Sequence, residues 1–303
     1  MVTSGTQTKG NVDVPDSLLT HSQEEADTLL ILHAVTVPHD AELVISSPDT
    51  DVLLLLVHMY PHLPVNTVFL TGNGRLKRNI SVCNIYNQLG QKRASALLGF
   101  HALTGSDVSG RFAGRTKDWC FKAFMSCDNE ILDALALMEN DNDLPLDACS
   151  QLERFVCVLY QSKIYTTVKQ LCWFLYSNRA AEAENLPPTA GSLELHIRRA
   201  HYITMIWKKA VVNHPGLPAP TEFGWTLDTA STCFSPDRCS NPPAPEALLH
   251  MIKCGCKSGC EGRCSCRKNK IPCTEMCGCW VFNCNNKTNQ PGIYEESEEF
   301  EDI

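Results

Sequence analysis

The chain has 303 residues, 44% hydrophobic and 20% charged, with a formal charge of −8. That length and apolar content exclude a disordered chain and predict one larger domain with something smaller attached. The negative balance excludes a protein basic over its whole surface, but it conceals a local reversal, with seven Lys or Arg against two Glu between Lys253 and Lys287.

Residues 1–21 are polar and Thr-rich and read as a disordered lead. They hold no apolar leader, and the longest strongly apolar run, Val52–Val57, is too short for a bilayer, so a soluble, non-secreted protein without membrane contact is expected. Ser22-Gln23-Glu24-Glu25 matches a capping box, followed by Leu29, Leu32 and Val35 at helical spacing to about Val37. Glu42–Ser47 reads as a strand, Pro48–Thr50 as a break, and Asp51 as the start of a leucine-rich helix ending near Tyr60-Pro61. Asn66–Leu70 and Asn79–Cys83 are β-rich runs about Gly72-Asn73-Gly74, which predicts a hairpin or strand connection. Ile85–Leu103 turns helical, and Gly105 and Gly110 punctuate a loop before Trp119. The alternation predicts an α/β core over 22–125 and a helical extension over 126–212. Seven prolines mark 213–245 as a linker or extended strap, and 288–303 is an acidic, solvated tail.

Without an oxidising compartment, dense cysteines read as metal ligands rather than disulfides. Within 246–287 stand Cys254, Cys256, Cys260, Cys264, Cys266, Cys273, Cys277, Cys279 and Cys284, including three C-x-C pairs. Nine thiolates suit three tetrahedral zinc ions, with six terminal and three bridging sulfurs. The six cysteines from Cys83 to Cys172 are spaced as small buried apolar residues. Lys257, Arg263, Arg267, Lys268 and Lys270 could each neutralise a phosphate, or form the solvated face of a structural or protein-binding knot. The run Cys254-Gly-Cys-Lys-Ser-Gly-Cys followed by Arg263-Cys-Ser-Cys-Arg-Lys resembles the tesmin-type CXC family. That resemblance implies a module that binds three zinc ions and often DNA, with Arg263 standing where the family commonly has an aromatic residue.

Acidic residues interrupt the apolar elements upstream: Glu24, Glu25 and Asp27, then Asp49 and Asp51, then Asp107. Asp49 and Asp51 follow a strand, at the sheet edge where α/β sites form. Carboxylates converging there could hold Mg²⁺ or Mn²⁺, whose bound water attacks a phosphodiester. Read locally, Glu25 closes the capping box, Asp51 caps the next helix, and Asp49 and Asp107 stabilise turns. Glu25-Ala26-Asp27, Ser47-Pro48-Asp49-Thr50-Asp51 and Gly105-Ser106-Asp107 together resemble the internal region of flap endonucleases in the PIN-like superfamily. With Ala94–Asp107, they resemble transposon-derived proteins that join such a region to a terminal CXC knot. Ser106 stands where those relatives usually carry Cys, and Ala113-Gly-Arg-Thr-Lys where they carry a Gly-Lys-Gly type sequence. The resemblance implies an α/β fold with a partial PIN-like sheet core, a helical extension and a small Cys-rich zinc knot, and it leaves two functions open. One is a Mg-dependent nuclease to which the knot delivers nucleic acid; the other is a non-catalytic, zinc-dependent DNA-binding or assembly module. DNA binding implies a nuclear location.

Overall fold

The computed structural model describes residues 2–4, 7–9, 20–23, 25–141, 143–177, 185–240, 253–257, 260–261, 263–268, 272–273, 277–279 and 284–286. The chain divides into two units, Met1–Cys239 and Ser240–Ile303.

In the first unit, β1 (Val2–Ser4) and β2 (Gln7–Lys9) pair antiparallel within the lead expected to be disordered. Helix α1 (Ala26–Ala34) precedes β3 (Glu42–Ser46), α2 (Thr50–His58), β4 (Asn66–Thr71) and β5 (Arg78–Ser81). Strands β3 and β4 run parallel, Ile45 opposite Phe69, which requires a crossover, and the leucines of α2 supply it. Strand β5 returns antiparallel, Ile80 opposite Phe69, so β4 is central and Thr67 and Phe69 are buried on it.

Helix α3 (Val82–Thr104) is the pivot of the unit. Gly90, at φ +75°, breaks it, and the residues from Ala96 to Thr104 are buried without interruption among α2, α5 (Asn129–Leu137), α8 (Ala190–Lys208) and β4. A helix apolar on every side needs neighbours on every side. The remaining helices are α4 (Lys117–Met125), α6 (Leu146–Leu159) and α7 (Val168–Ser177). Phe100 of α3 stacks on Phe124 of α4 at 4.6 Å between ring centroids. Cys120 and Cys157 are buried as small apolar residues, while Cys83, Cys127, Cys149 and Cys172 are half-buried. Among the described residues no helix is long and apolar enough to cross a membrane.

Two local expectations are corrected. The capping box does not form: α1 begins at Ala26 with Glu25 as its extended N-cap residue, making no side-chain cap bond, and the helix ends at Ala34 rather than Val37. Ser22 is occupied elsewhere, its amide donating to the Asn213 carbonyl at 2.9 Å. Gln23 Nε2 likewise donates to the carbonyls of Lys209 at 3.0 Å and Val212 at 2.6 Å, so the segment is an extended tie to the end of α8. The proline-rich stretch, for its part, contains a 3₁₀ turn at Pro220–Phe223 and a hairpin of β6 (Trp225–Asp228) and β7 (Cys233–Pro236). Buried Phe223, packed on His201 and Tyr202 of α8, anchors it.

At the ends of α2, α5 and α8, the buried side chains of His58 and Glu139 meet the exposed Lys208. His58 Nε2 lies 3.3 Å from Glu139 Oε1, its Nδ1 donates to the Ala94 carbonyl at 3.1 Å, and Lys208 Nζ meets Glu139 Oε2 at 3.0 Å. Burial holds His58 down to about 4 and pushes the Glu139 carboxyl up. A histidine depressed in the folded state binds its proton mainly on unfolding, so its contribution is present above about pH 6.5 and is lost toward pH 4, by about 3 kcal/mol. Glu139 works in the opposite direction, favouring the fold as pH falls. His58→Gln should therefore lose less stability than the parent between pH 7 and 4.5, measured on the larger unit's denaturant unfolding transition at the two pH values.

Candidate metal centre

In the second unit, short backbone bonds draw distant cysteines together. Cys264 N bonds to Glu261 O at 2.9 Å and opens the single turn α9 (Ser265–Lys268), Gly278 N bonds to Cys254 O at 2.9 Å, and Cys273 N to Asn286 O at 2.7 Å. Seven of the nine sulfur-bearing residues are buried, and Cys256 and Cys284 are half-buried. Sulfur separations are 3.7 Å for Cys254–Cys260, 3.8 Å for Cys254–Cys273, 3.6 Å for Cys260–Cys273, 3.5 Å for Cys254–Cys279, 3.7 Å for Cys266–Cys277 and 3.5 Å for Cys279–Cys284. A zinc ion at its usual 2.3 Å from each thiolate places tetrahedral sulfurs about 3.8 Å apart, so the cluster is spaced for zinc. Four-sulfur groups with all members within 4.8 Å of one another include Cys254/Cys256/Cys260/Cys264 and Cys260/Cys273/Cys279/Cys284. Burial pushes the thiols of Cys266 and Cys279 up, to about 12 and about 11, so metal must displace protons on binding.

The basic residues are distributed around this cluster. Lys257, Arg263 and Lys268 are exposed. Arg267 is exposed as well, but its guanidinium donates to the Cys260 carbonyl at 3.0 Å and is partly engaged in holding the chain at that cysteine. Lys270 lies outside the described residues.

The first unit gathers carboxylates from the starts of two helices and from one loop. Asp27 lies in the first turn of α1, Asp49 is the N-cap residue of α2, Asp51 is in that helix's first turn, and Asp107 is in the loop after α3. Burial pushes the Asp27 carboxyl up, reinforced by the charges of Asp49, Asp51 and Asp107, so the four share one field. The local reading of α2 is corrected in one respect: Asp49, not Asp51, caps the helix, its Oδ1 accepting from Asp51 N at 2.8 Å. Asp51 Oδ1 instead lies 2.9 Å from His101 Nε2, and that contact holds its carboxyl below the usual range against the opposing effect of burial. The contact is a close approach of ring and carboxylate, since neither ring nitrogen of His101 makes a hydrogen bond of ordinary geometry among the described residues. The quartet is open: among the described residues, every group of three or more ligand atoms within 4.8 Å of one another consists of cysteines. Glu25 lines a cavity of about 210 Å³ with Val108, Trp207 and Trp225, and Glu24 lies outside the described residues.

No family model, curated protein or solved structure matches the chain. Function therefore has to be read from the two clusters, including three side chains that spacing does not reveal. His101 shows no ligand spacing to any acid, because its partner Asp51 is on another helix. Lys117 donates through Nζ to the carbonyls of His101 at 3.0 Å and Gly105 at 2.6 Å and to Thr104 Oγ1 at 3.0 Å, closing the end of α3 just before the Asp107 loop. Burial holds that amine down to about 8. Asn286 reaches the sulfur cluster from beyond the last cysteine.

Proposed function

We propose that the nine cysteines hold three zinc ions and that the module so formed binds DNA through the phosphate backbone. The observation that carries the first half is the triangle of Cys254, Cys260 and Cys273, whose sulfurs lie 3.6–3.8 Å apart. Taking these as bridging ligands divides all nine cysteines among three tetrads without remainder. Cys254, Cys256, Cys260 and Cys264 form one, and Cys260, Cys273, Cys279 and Cys284 a second. Cys254, Cys266, Cys273 and Cys277 form the third, every pair again within 4.8 Å. Zinc would supply cross-links to a segment whose buried residues, among those described, are cysteines, and with them its folding energy.

The exposed cations Lys257, Arg263 and Lys268 support the second half, since three zinc ions and nine thiolates leave a small negative cluster beneath a basic surface. DNA binding would put the protein's work in the nucleus. Replacing Lys257, Arg263 or Lys268 singly by alanine should weaken binding about equally across sequences and lower the slope of log affinity against log salt by about 1 each. Slopes unchanged in all three variants would remove the phosphate contacts from the account.

A second reading, metal-dependent phosphodiester cleavage on a PIN-like core, is favoured by the convergence of Asp27, Asp49, Asp51 and Asp107 beyond the carboxyl end of β3. Asp49 and Asp51 each commit one oxygen to Asp51 N and His101 respectively and keep the other for Mg²⁺ or Mn²⁺. His101 would orient Asp51, and Lys117 would steady the loop bearing Asp107. Flap and single-stranded DNA incubated with Mg²⁺ or Mn²⁺ test it: cleavage that disappears in an Asp49→Ala/Asp51→Ala double variant supports a nuclease, and binding without cleavage by the parent rejects it.

A further inference from the structure

Asn286 makes three bonds to the ligands of a single tetrad. Its Nδ2 donates to Cys273 Sγ at 3.4 Å, its backbone N–H donates to Cys284 Sγ at 3.4 Å, and its carbonyl accepts from Cys273 N at 2.7 Å. Cys284 is one of two half-buried ligands in the cluster, so it is one of the places where water, a proton or a competing ligand reaches a sulfur directly. Cys273 is at the other extreme, buried and in contact with the sulfurs of Cys254, Cys260 and Cys264.

A zinc ion leaves a thiolate site stepwise: one zinc–sulfur bond opens, and the freed sulfur is protonated or the metal is taken by an incoming ligand before the bond can re-form. An N–H group pointed at a thiolate draws off part of its negative charge, makes it a poorer proton acceptor and holds it in the direction of the metal. Asn286 does this for two sulfurs of the Cys260/Cys273/Cys279/Cys284 tetrad, the exposed one through its backbone and the shared one through its side chain.

We propose that Asn286 controls how fast zinc is lost from the Cys260/Cys273/Cys279/Cys284 tetrad, an assignment that rests on the three-zinc reading above. Zinc at that tetrad is kinetically protected by the carboxamide, although the ligand Cys284 is half-exposed. Loss of the carboxamide donor loosens Cys273, and because that sulfur is shared, the neighbouring tetrad follows.

The test uses the full chain loaded with zinc, with Asn286→Asp and Asn286→Ala beside the parent. The aspartate variant keeps the size and both backbone bonds and exchanges the N–H donor for a carboxylate oxygen, and the alanine variant removes the donor without adding a charge or a new ligand. Native mass spectrometry counts the zinc ions first, and a chromogenic chelator then follows their release in time. Three ions in the parent, with one equivalent leaving both variants about tenfold faster and the others later, is the expected result. Variants that load two ions or one support the proposal in the same sense, and variants that load none report a lost fold and overturn it. Release within about twofold of the parent for every equivalent overturns it, as does equal acceleration of all three, which reports a lost fold rather than a loosened site. A parent that does not hold three ions contradicts the three-zinc reading itself and is seen before any chelator is added.

Discussion

Cys273→Ser is expected to leave the protein with a single firmly held zinc ion, whereas Cys256→Ser is expected to leave two. In the proposed assignment the Cys273 sulfur belongs to two tetrads, and the Cys256 sulfur belongs to one. Structural zinc sites are closed by four protein ligands, and removing one thiolate opens every site that shares it. The energetic effect is large, because binding at a structural zinc site is worth about 10–16 kcal/mol in small zinc-dependent peptides and is there inseparable from folding. Cys254, Cys260, Cys264, Cys266, Cys273, Cys277 and Cys279 are buried chiefly against one another, and among the described residues of the segment they are the whole of the buried cluster. The serine variant at 273 should therefore also lose protection of 253–286 from proteolysis, while the variant at 256 retains part of it. Native mass spectrometry of the two loaded variants decides the matter; equal zinc loss from both would refute the bridging assignment.

Gly99→Ala should destabilise the larger unit by about 3 kcal/mol, a value at the severe end for overpacking. A methyl group on Gly99 would stand 2.1 Å from the carbonyl oxygen of Leu135 and 3.0 Å from its carbonyl carbon, both atoms of the α5 backbone. No side chain can rotate away, so α3 and α5 must separate in a region where Leu97, Leu98, Phe100, Leu132 and Leu135 are buried. The displacement would also carry His101, two residues along the same helix, away from Asp51. Urea unfolding of the variant measures the cost, and a change below about 1 kcal/mol would mean that the two helices are not packed backbone to backbone at this point.

These sites differ in how much of them is written locally. The β3–α2–β4–β5 succession is legible because each element announces itself within a few residues: a β-rich run to Ser47, a Pro-Asp break, a leucine-rich helix, then two runs about a glycine turn. The cysteine cluster is legible for the same reason, since all nine cysteines fall between 254 and 284. Which sulfurs lie together is not, because spacing along the chain does not say that Cys266 meets Cys277 or that Cys254 meets Cys273. The capping-box motif at Ser22 misleads because the competing bonds come from Lys209, Val212 and Asn213, far along the chain. Proline content conceals the hairpin after Pro220 in a similar way, the decisive fact being that Phe223 has a place on α8. His101 and Lys117 act on the carboxylate cluster and the loop beside it only after α3 is buried, and no local pattern marks them. Asp51 marks the helix start to within one residue, but the helix opens at Thr50 and Asp49 supplies the cap.

If zinc builds a DNA-binding surface, as proposed, binding of one labelled DNA duplex by the zinc-loaded and the chelator-stripped protein across a range of salt concentrations shows it most directly. Binding by the loaded protein should weaken steeply as salt rises, be lost on stripping, and return when zinc is restored. Binding that survives removal of zinc, or no binding by the loaded protein at low salt, would contradict it.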